Sequence, residues 1–376
     1  MRICYFADAQ SVHTQKWVKY FASKGHETHI ISFSRARIKN VTVHYISAHP
    51  SIPFILMHTQ MVKKMVRKIN PDILHAHHLT VYGLCGALSG FKPFVATAWG
   101  SDVLPIQLEN LATRILTRCI AMYVIRKADM VTADSKSSMR RVYKLGGTYR
   151  KIRFISHGVD LRVFHPQKKY KILREKLGIP RTALVIISTR HLKPIYDVGV
   201  LLSAIPFVLK HHPNTYFIIV GEGSLKQKFQ TLVEKLKVTE NVKFVGKVPN
   251  SKIPTYFAAS DIYVSTSLSD TISVSLLEAM ACKLPVVVTD LEGNKEMVKN
   301  GINGFLFPKK DYTMLGEKLV YLLENKKERT NFGSINRRIV EKEANYEKEM
   351  MKMEWVYADL KNESLTANLN SSSRGT

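Results

Sequence analysis

Asp270 and Glu278 are the two residues of this chain whose type and spacing best suit chemistry. Residues 261–266 alternate apolar and polar side chains and run into Ser-Leu-Ser-Asp, the pattern of a strand ending in a loop at Asp270. The loop Thr271-Ile272-Ser273-Val274-Ser275 leads into a helix that Ser273 or Ser275 can cap, so backbone N–H groups gather at a helix start and form a ready anion site. Glu278 then falls among Leu276, Leu277, Ala279, Met280 and Ala281. A carboxylate on so apolar a helix must be solvated, paired or engaged with ligand hydroxyls. Val286-Val287-Val288 is an unbroken β-branched run, as expected of a parallel strand covered on both faces. Strand, loop, helix and strand make a βαβ unit, whose ligand site lies at the carboxyl end of the first strand. Taken singly, Asp270 reads as a loop or cap residue and Glu278 as a surface position.

Together, the two acids and the following Ala279-Met280-Ala281-Cys282 resemble the signature of the family-4 retaining glycosyltransferases of GT-B fold. The resemblance implies that Glu278 holds the ribose hydroxyls of a nucleotide-sugar donor and that Asp270 contacts the donor sugar. The family's first acid is commonly Glu, so the shorter Asp270 implies a shifted or different sugar. Arg190, closing a strand at 184–189, matches the family's diphosphate-binding arginine. The family's partner lysine lies five residues on, where this chain has Ile195 and Tyr196; Lys193 is the nearest substitute and reads equally as a surface lysine. Gly221-Glu222-Gly223 is only part of a dinucleotide fingerprint, since Lys226 stands in the place of the third glycine, and by itself it marks a tight turn. Within the resemblance, Gly221, Glu222 and the segment 244–248 ending in Val248 flank the nucleotide base. The family chemistry lets the leaving phosphate oxygen take the acceptor proton on the same face, without a protein nucleophile. Arg190 and the N–H groups of 271–275 would hold the diphosphate there.

On the acceptor side, Trp99-Gly100-Ser101-Asp102 ends a strand. The family often has His where Trp99 stands; Trp99 reads as a sugar-stacking or a packing residue. Asp102 either accepts an acceptor hydroxyl or caps the next turn. His13, in the loop after the first strand, is a further candidate. His75, His77 and His78 end a buried strand with no Cys and no carboxylate nearby except Asp72, which reads as structural rather than metal-binding. The chain contains no Asp-x-Asp, so neither a metal nor any other cofactor is expected.

With 376 residues, 45% hydrophobic and 23% charged, the chain suits a globular enzyme of two domains. Its net charge of +26 is concentrated early: residues 1–165 hold 24 Lys and Arg against 8 Asp and Glu. Such a balance fits nucleic acid, an anionic membrane or phosphorylated ligands. Nucleic acid ranks last, because no helix-turn-helix, zinc-finger or RNA-binding pattern is present. Cys4, Cys85, Cys119 and Cys282 are scattered, as reduced thiols would be. Asp8 interrupts a signal-peptide reading, and no apolar run approaches the ~18 residues of a spanning helix. The expectation is a cytoplasmic protein, peripheral at the inner face of the cell membrane. Lys63, Lys64, Arg67 and Lys68 on a helix at 54–69 read as a solvated face or as a surface for acidic lipids.

Strands and helices alternate throughout. Strands are expected near 2–7, 28–33, 72–78, 93–98, 130–133 and 152–155, then at 184–189, 216–220, 242–245, 261–266, 286–288 and 304–307. Two Rossmann-like domains follow, at 1–163 and 170–343, facing a cleft and separated by a turn-rich hinge at 156–166 with a polar segment at 167–170. Residues 344–362 form a helix crossing back to the first domain, with Trp355 and Tyr357 as core residues. The tail, 363–376, is expected to be disordered. The reading is an α/β GT-B enzyme that moves a sugar from a nucleotide-diphosphate-sugar to a glycan or lipid-phosphate-linked acceptor, in surface-polysaccharide or glycolipid synthesis. A nucleotide-sugar 2-epimerase of the same fold and a non-catalytic nucleotide-sugar-binding protein are the alternatives.

Overall fold

The computed structural model describes residues 1–47, 52–103, 111–167 and 171–372. Within them the chain forms two compact units, Met1–His157 together with Lys348–Thr376, and Gly158–Glu347. In the first, β1 (Arg2–Phe6), β2 (Glu27–Ser32), β3 (Thr42–Tyr45), β4 (Ile73–His77), β5 (Phe94–Ala98), β6 (Met130–Ala133) and β7 (Ile152–Phe154) pair in parallel in the order β3-β2-β1-β4-β5-β6-β7. In the second, β8 (Leu184–Ser188), β9 (Thr215–Val220), β10 (Val242–Gly246), β11 (Ile262–Ser265), β12 (Val286–Thr289) and β13 (Gly304–Phe307) pair in parallel in the order β10-β9-β8-β11-β12-β13.

Both orders reverse direction once, beside the first strand of the unit, which is the arrangement of dinucleotide-binding sheets. The crevice at such a reversal lies at β1 and β4 in the first unit and at β8 and β11 in the second. Alternation along the strands builds the layers. Ile186, Ile219, Val264 and Val287 face one side of the second sheet, while Val185, Ile187, Ile218, Tyr263, Val286 and Val288 face the other. Helices cover both faces, so these short strands are apolar on both sides.

Several expectations are corrected. The edge strand β3 had no reading, because Thr42–Tyr45 is four residues long and half-buried at most. The helix expected at 54–69 is two, Ile52–Met57 and Thr59–Ile69. The Thr59 hydroxyl donates to the carbonyls of Ile55 and Leu56 and competes with the helical ladder at the junction. Helices at Lys171–Lys176 and Glu292–Met297 also went unread, and residues 168–170 of the polar segment lie outside the described residues. The closing helix runs from Tyr346 to Ser372, so disorder does not begin at 363; no Pro or Gly interrupts it, and a docked helix propagates cheaply. Tyr357 is buried, donating to Tyr5 at 3.2 Å, but Trp355 is exposed. Two residues apart on a helix, the rings point to opposite sides.

Candidate active site

In the second unit the reversal gathers the residues singled out first. Arg190 lies just beyond β8 and the Asp270 loop just beyond β11. The Arg190 guanidinium is almost buried, pairs with Asp270, donates to Ser273 Oγ, and reaches Ser275 Oγ at 3.1 Å. It stands 4.3 Å over the Tyr196 ring. Tyr263, from within β11, holds Ser275 through its hydroxyl at 2.8 Å. Burial alone would lower the arginine pKa, but Asp270 outweighs it and the charge is retained.

The helix Val274–Ala281 has Ser273 at its N-cap, yet the Ser273 hydroxyl bonds Arg190 and Ser275 instead of capping. A first turn deprived of its side-chain cap directs N–H groups toward the same spot as Arg190. Thr271, Ile272 and Ser273 are buried, and Val274 and Ser275 half-buried. Gly293 explains the tight seating of the loop: a Cβ there would stand 2.2 Å from the Thr271 carbonyl oxygen. Neither Gly293 nor Tyr196 nor Tyr263 carries a sequence signal of its own.

Glu278 is buried within the same helix, and its Oε1 accepts from the Asn250 amide at 3.2 Å. Asn250, in a short turn ahead of the helix Ile253–Ala258, is a site residue that sequence reasoning missed. Gly221 occupies a left-handed φ of 144°, and a Cβ there would meet the Arg190 carbonyl oxygen at 2.4 Å, so close backbone approach fixes glycine in this turn. Glu222 pairs with Lys226 at 2.9 Å, and Val248 is half-buried against the core. Lys193 is exposed. Partial burial lowers the His191 pKa, the backbone of Glu222 opposes this, and the positive charges of Lys193, Arg190 and Lys247 lower it further.

In the first unit, Trp99 is 7% exposed, with its ring 4.5 Å from His78, 4.9 Å from His77, 5.2 Å from His157 and 5.9 Å from His13. Imidazoles surround it, so it packs and does not offer a face for sugar stacking. Asp102 has a side chain only 2% exposed; it accepts from His78 Nδ1 at 2.9 Å and from the N–H groups of Leu79 at 3.0 Å and Trp99 at 3.1 Å. Direct acceptance of an acceptor hydroxyl by Asp102 is therefore replaced by an inward role. His75 bridges Tyr357 and Thr97, a structural use of the first histidine. Among the described residues, no group of three His, Cys, Asp or Glu is arranged to hold a metal ion.

Two doubly wound sheets in one chain, the second with an arginine, a helix start and an inward carboxylate at its reversal, define a protein of two Rossmann-like units, each with the crevice of such sheets at its reversal. Comparison with known families makes this specific. Residues 169–339 match the model for glycosyl transferases group 1, and residues 2–135 match that for glycosyl transferase 4-like domains. The chain belongs to the GT-B glycosyltransferases of group 1. It is 24% identical over 357 residues, 91% of each chain, to N-acetyl-alpha-D-glucosaminyl L-malate synthase of Bacillus anthracis. It is 27% identical over 284 residues, 70% of this chain and 69% of the relative, to the UDP-Gal:alpha-D-GlcNAc-diphosphoundecaprenol alpha-1,3-galactosyltransferase of Escherichia coli. Among solved structures, Anabaena HepE in complex with UDP matches with a TM-score of 0.82 at 20% identity, over 96% of this chain and 100% of the other.

Proposed function

We propose that this enzyme transfers a sugar, with retention of anomeric configuration, from a nucleotide-diphosphate-sugar to a glycan or lipid-phosphate-linked acceptor in surface-polysaccharide or glycolipid synthesis. The observation that carries the reading is the convergence of Arg190, Asp270, Ser273 and Ser275 at the β8/β11 reversal, with Glu278 on the same helix. Arg190 and the N–H groups of 271–275 hold the diphosphate, Glu278 the ribose hydroxyls and Asp270 the sugar. Fixed cations and N–H dipoles neutralise the departing diphosphate, so the reaction needs no metal. UDP- and GDP-sugars are the donors to test first, since the solved HepE binds UDP and a Corynebacterium glutamicum relative is GDP-mannose-dependent. Nothing in the fold, the site or the comparisons favours the 2-epimerase. Calorimetry against UDP, GDP, ADP and CMP and their sugars tests the reading: one selective, EDTA-insensitive response supports it. A folded protein that binds none of them overturns it.

The acceptor side falls to the first unit, at the cytoplasmic face of a membrane. Among the described residues no helix is long and apolar enough to cross one. The helix Thr59–Ile69 buries Val62, Val66 and Ile69 and exposes Lys64, Arg67 and Lys68, just after Met57, which is 77% exposed. The helix Leu111–Lys127 likewise exposes Leu111 ahead of Arg114, and Ile115 and Leu116 between Arg114 and Arg118. Exposed apolar residues beside basic ones suit an anionic lipid surface, each surface cation contributing about 1 kcal/mol at low salt. Vesicles with anionic lipid should retain the protein at low salt and release it at high salt. Equal retention by neutral vesicles would sink the lipid reading.

A further inference from the structure

One histidine of the first unit is arranged unlike the rest. His78 follows β4 directly, at the β1/β4 reversal of the sheet, and takes a left-handed φ of 77°, a region that residues other than glycine occupy in only a few per cent of cases, His more often than most. Its N–H donates to the Thr97 carbonyl at 3.1 Å, which fixes the turn. Strained backbone of this kind persists where the surrounding structure over-determines it, and it concentrates at functional sites. Nδ1 of His78 faces Asp102 at 2.9 Å, and the Trp99 ring abuts the imidazole edge-on at 4.5 Å.

Asp102 is itself immobilised, because the N–H groups of Leu79 and Trp99 occupy its second oxygen. An ionised carboxylate accepts only, so Nδ1 of His78 carries a proton in either charge state and the tautomer is set. With Nδ1 taken by Asp102, Nε2 is the nitrogen left for a ligand on a side chain that is 28% exposed. The neighbouring histidines are spent differently. His75 uses both nitrogens inside the core, and His77 is fully buried with Nδ1 at 3.3 Å from the Thr14 hydroxyl. A purely structural pair would not require a side chain left more than a quarter exposed in this turn. A second sign of a missing partner lies beside it: the Trp99 indole N–H is buried and without a hydrogen bond.

We propose that His78 is an acceptor-binding residue, whose Nε2 hydrogen-bonds a sugar hydroxyl beside the reacting one, with Asp102 as its positioning residue. The assignment deepens the transferase reading and rests on it. His78 moves no proton: the new bond joins the acceptor oxygen to the sugar, the bond to phosphate breaks, and the acceptor proton goes to the leaving phosphate. Burial by itself would lower the His78 pKa, but Asp102, followed by Asp8 and Asp134, outweighs it and holds it above the ordinary imidazole value. His13, His77 and His157 also face the site, and His157 lies 3.5 Å from Asp134.

The test uses the full chain labelled with 15N at histidine, titrated without donor against methyl α-D-glucopyranoside, methyl N-acetyl-α-D-glucosaminide and inorganic phosphate. The expected result is an Nδ1–H tautomer at His78, and a shift of its Nε2 resonance by a glycoside while His75 stays still. In Asp102→Asn the His78 pKa falls and the glycoside response weakens. In kinetic assays, His78→Ala raises the glycoside KM by ~10-fold or more, with partial rescue by His78→Gln. A stronger response to phosphate than to either glycoside, or none at His78, overturns the assignment. Failure of the wild-type chain to bind or hydrolyse any nucleotide sugar overturns the transferase reading instead.

Discussion

Arg190→Ala is expected to lower kcat/KM for sugar transfer by about 10²–10³-fold, most of it in kcat, the usual range for removing one preorganised donor aimed at developing negative charge. The reason lies in how the guanidinium is held before any ligand arrives. Ser273, Ser275 and Asp270 bond it on one side and the Tyr196 ring supports it from below. Charge growing on a departing diphosphate at the proposed site would meet a cation that need not reorganise. The exposed Lys193 cannot substitute, because a solvated ammonium on a flexible stem is screened and must be ordered first. Arg190→Lys should therefore recover little, since one ammonium cannot span two hydroxyls and a carboxylate in the planar fork of arginine. The fold should survive: the Asp270 side chain is 22% exposed and regains water when its partner is removed. Single-turnover rates together with thermal melts decide the matter. Rates within twofold of wild type, in a protein melting normally, would remove Arg190 from the diphosphate site.

The residues that were legible in the sequence are those whose surroundings contradict their chemistry. Glu278 among Leu, Ala and Met, and Arg190 at the end of an apolar strand, have no local reason to be there, so each points to something outside its own element. The parallel strands were legible for a related reason, because both their faces are buried and their runs are apolar throughout. Tyr196, Tyr263 and Asn250 carry no such contradiction. A tyrosine beside a strand or an asparagine in a turn is ordinary, and only the fold brings Tyr196 beneath Arg190 and Asn250 to Glu278. Asp102 shows the opposite failure. Its position after β5 suited an acceptor contact, yet whether a carboxylate turns outward or back onto His78 depends on strands more than 20 residues away in sequence. Trp99 shares this ambiguity, resolved by four surrounding imidazoles.

Glu278→Ala should weaken nucleotide binding by about 10²-fold or more, and the loss should disappear when the ribose lacks the hydroxyls that the carboxylate is proposed to hold. Hydrogen bonds to a charged acceptor contribute roughly 1.5–3 kcal/mol each, and about 1.4 kcal/mol is tenfold in affinity. Two such bonds inside a buried site thus account for a loss of this size. Position favours the assignment, since the helix Val274–Ala281 carries the N–H groups proposed for phosphate at its start and Glu278 one turn further on. The Asn250 amide, 3.2 Å from Oε1, helps to hold the carboxylate in place. Wild-type protein should distinguish a ribonucleotide from its 2′-deoxy analogue by about tenfold, and Glu278→Ala should bind the two alike. Glu278→Gln should fall between, because its amide oxygen keeps one acceptor without the charge. The comparison separates recognition from damage: a disrupted helix would weaken both nucleotides equally and preserve the preference for ribose. If the alanine variant still prefers ribose by the wild-type factor, Glu278 does not read the sugar hydroxyls.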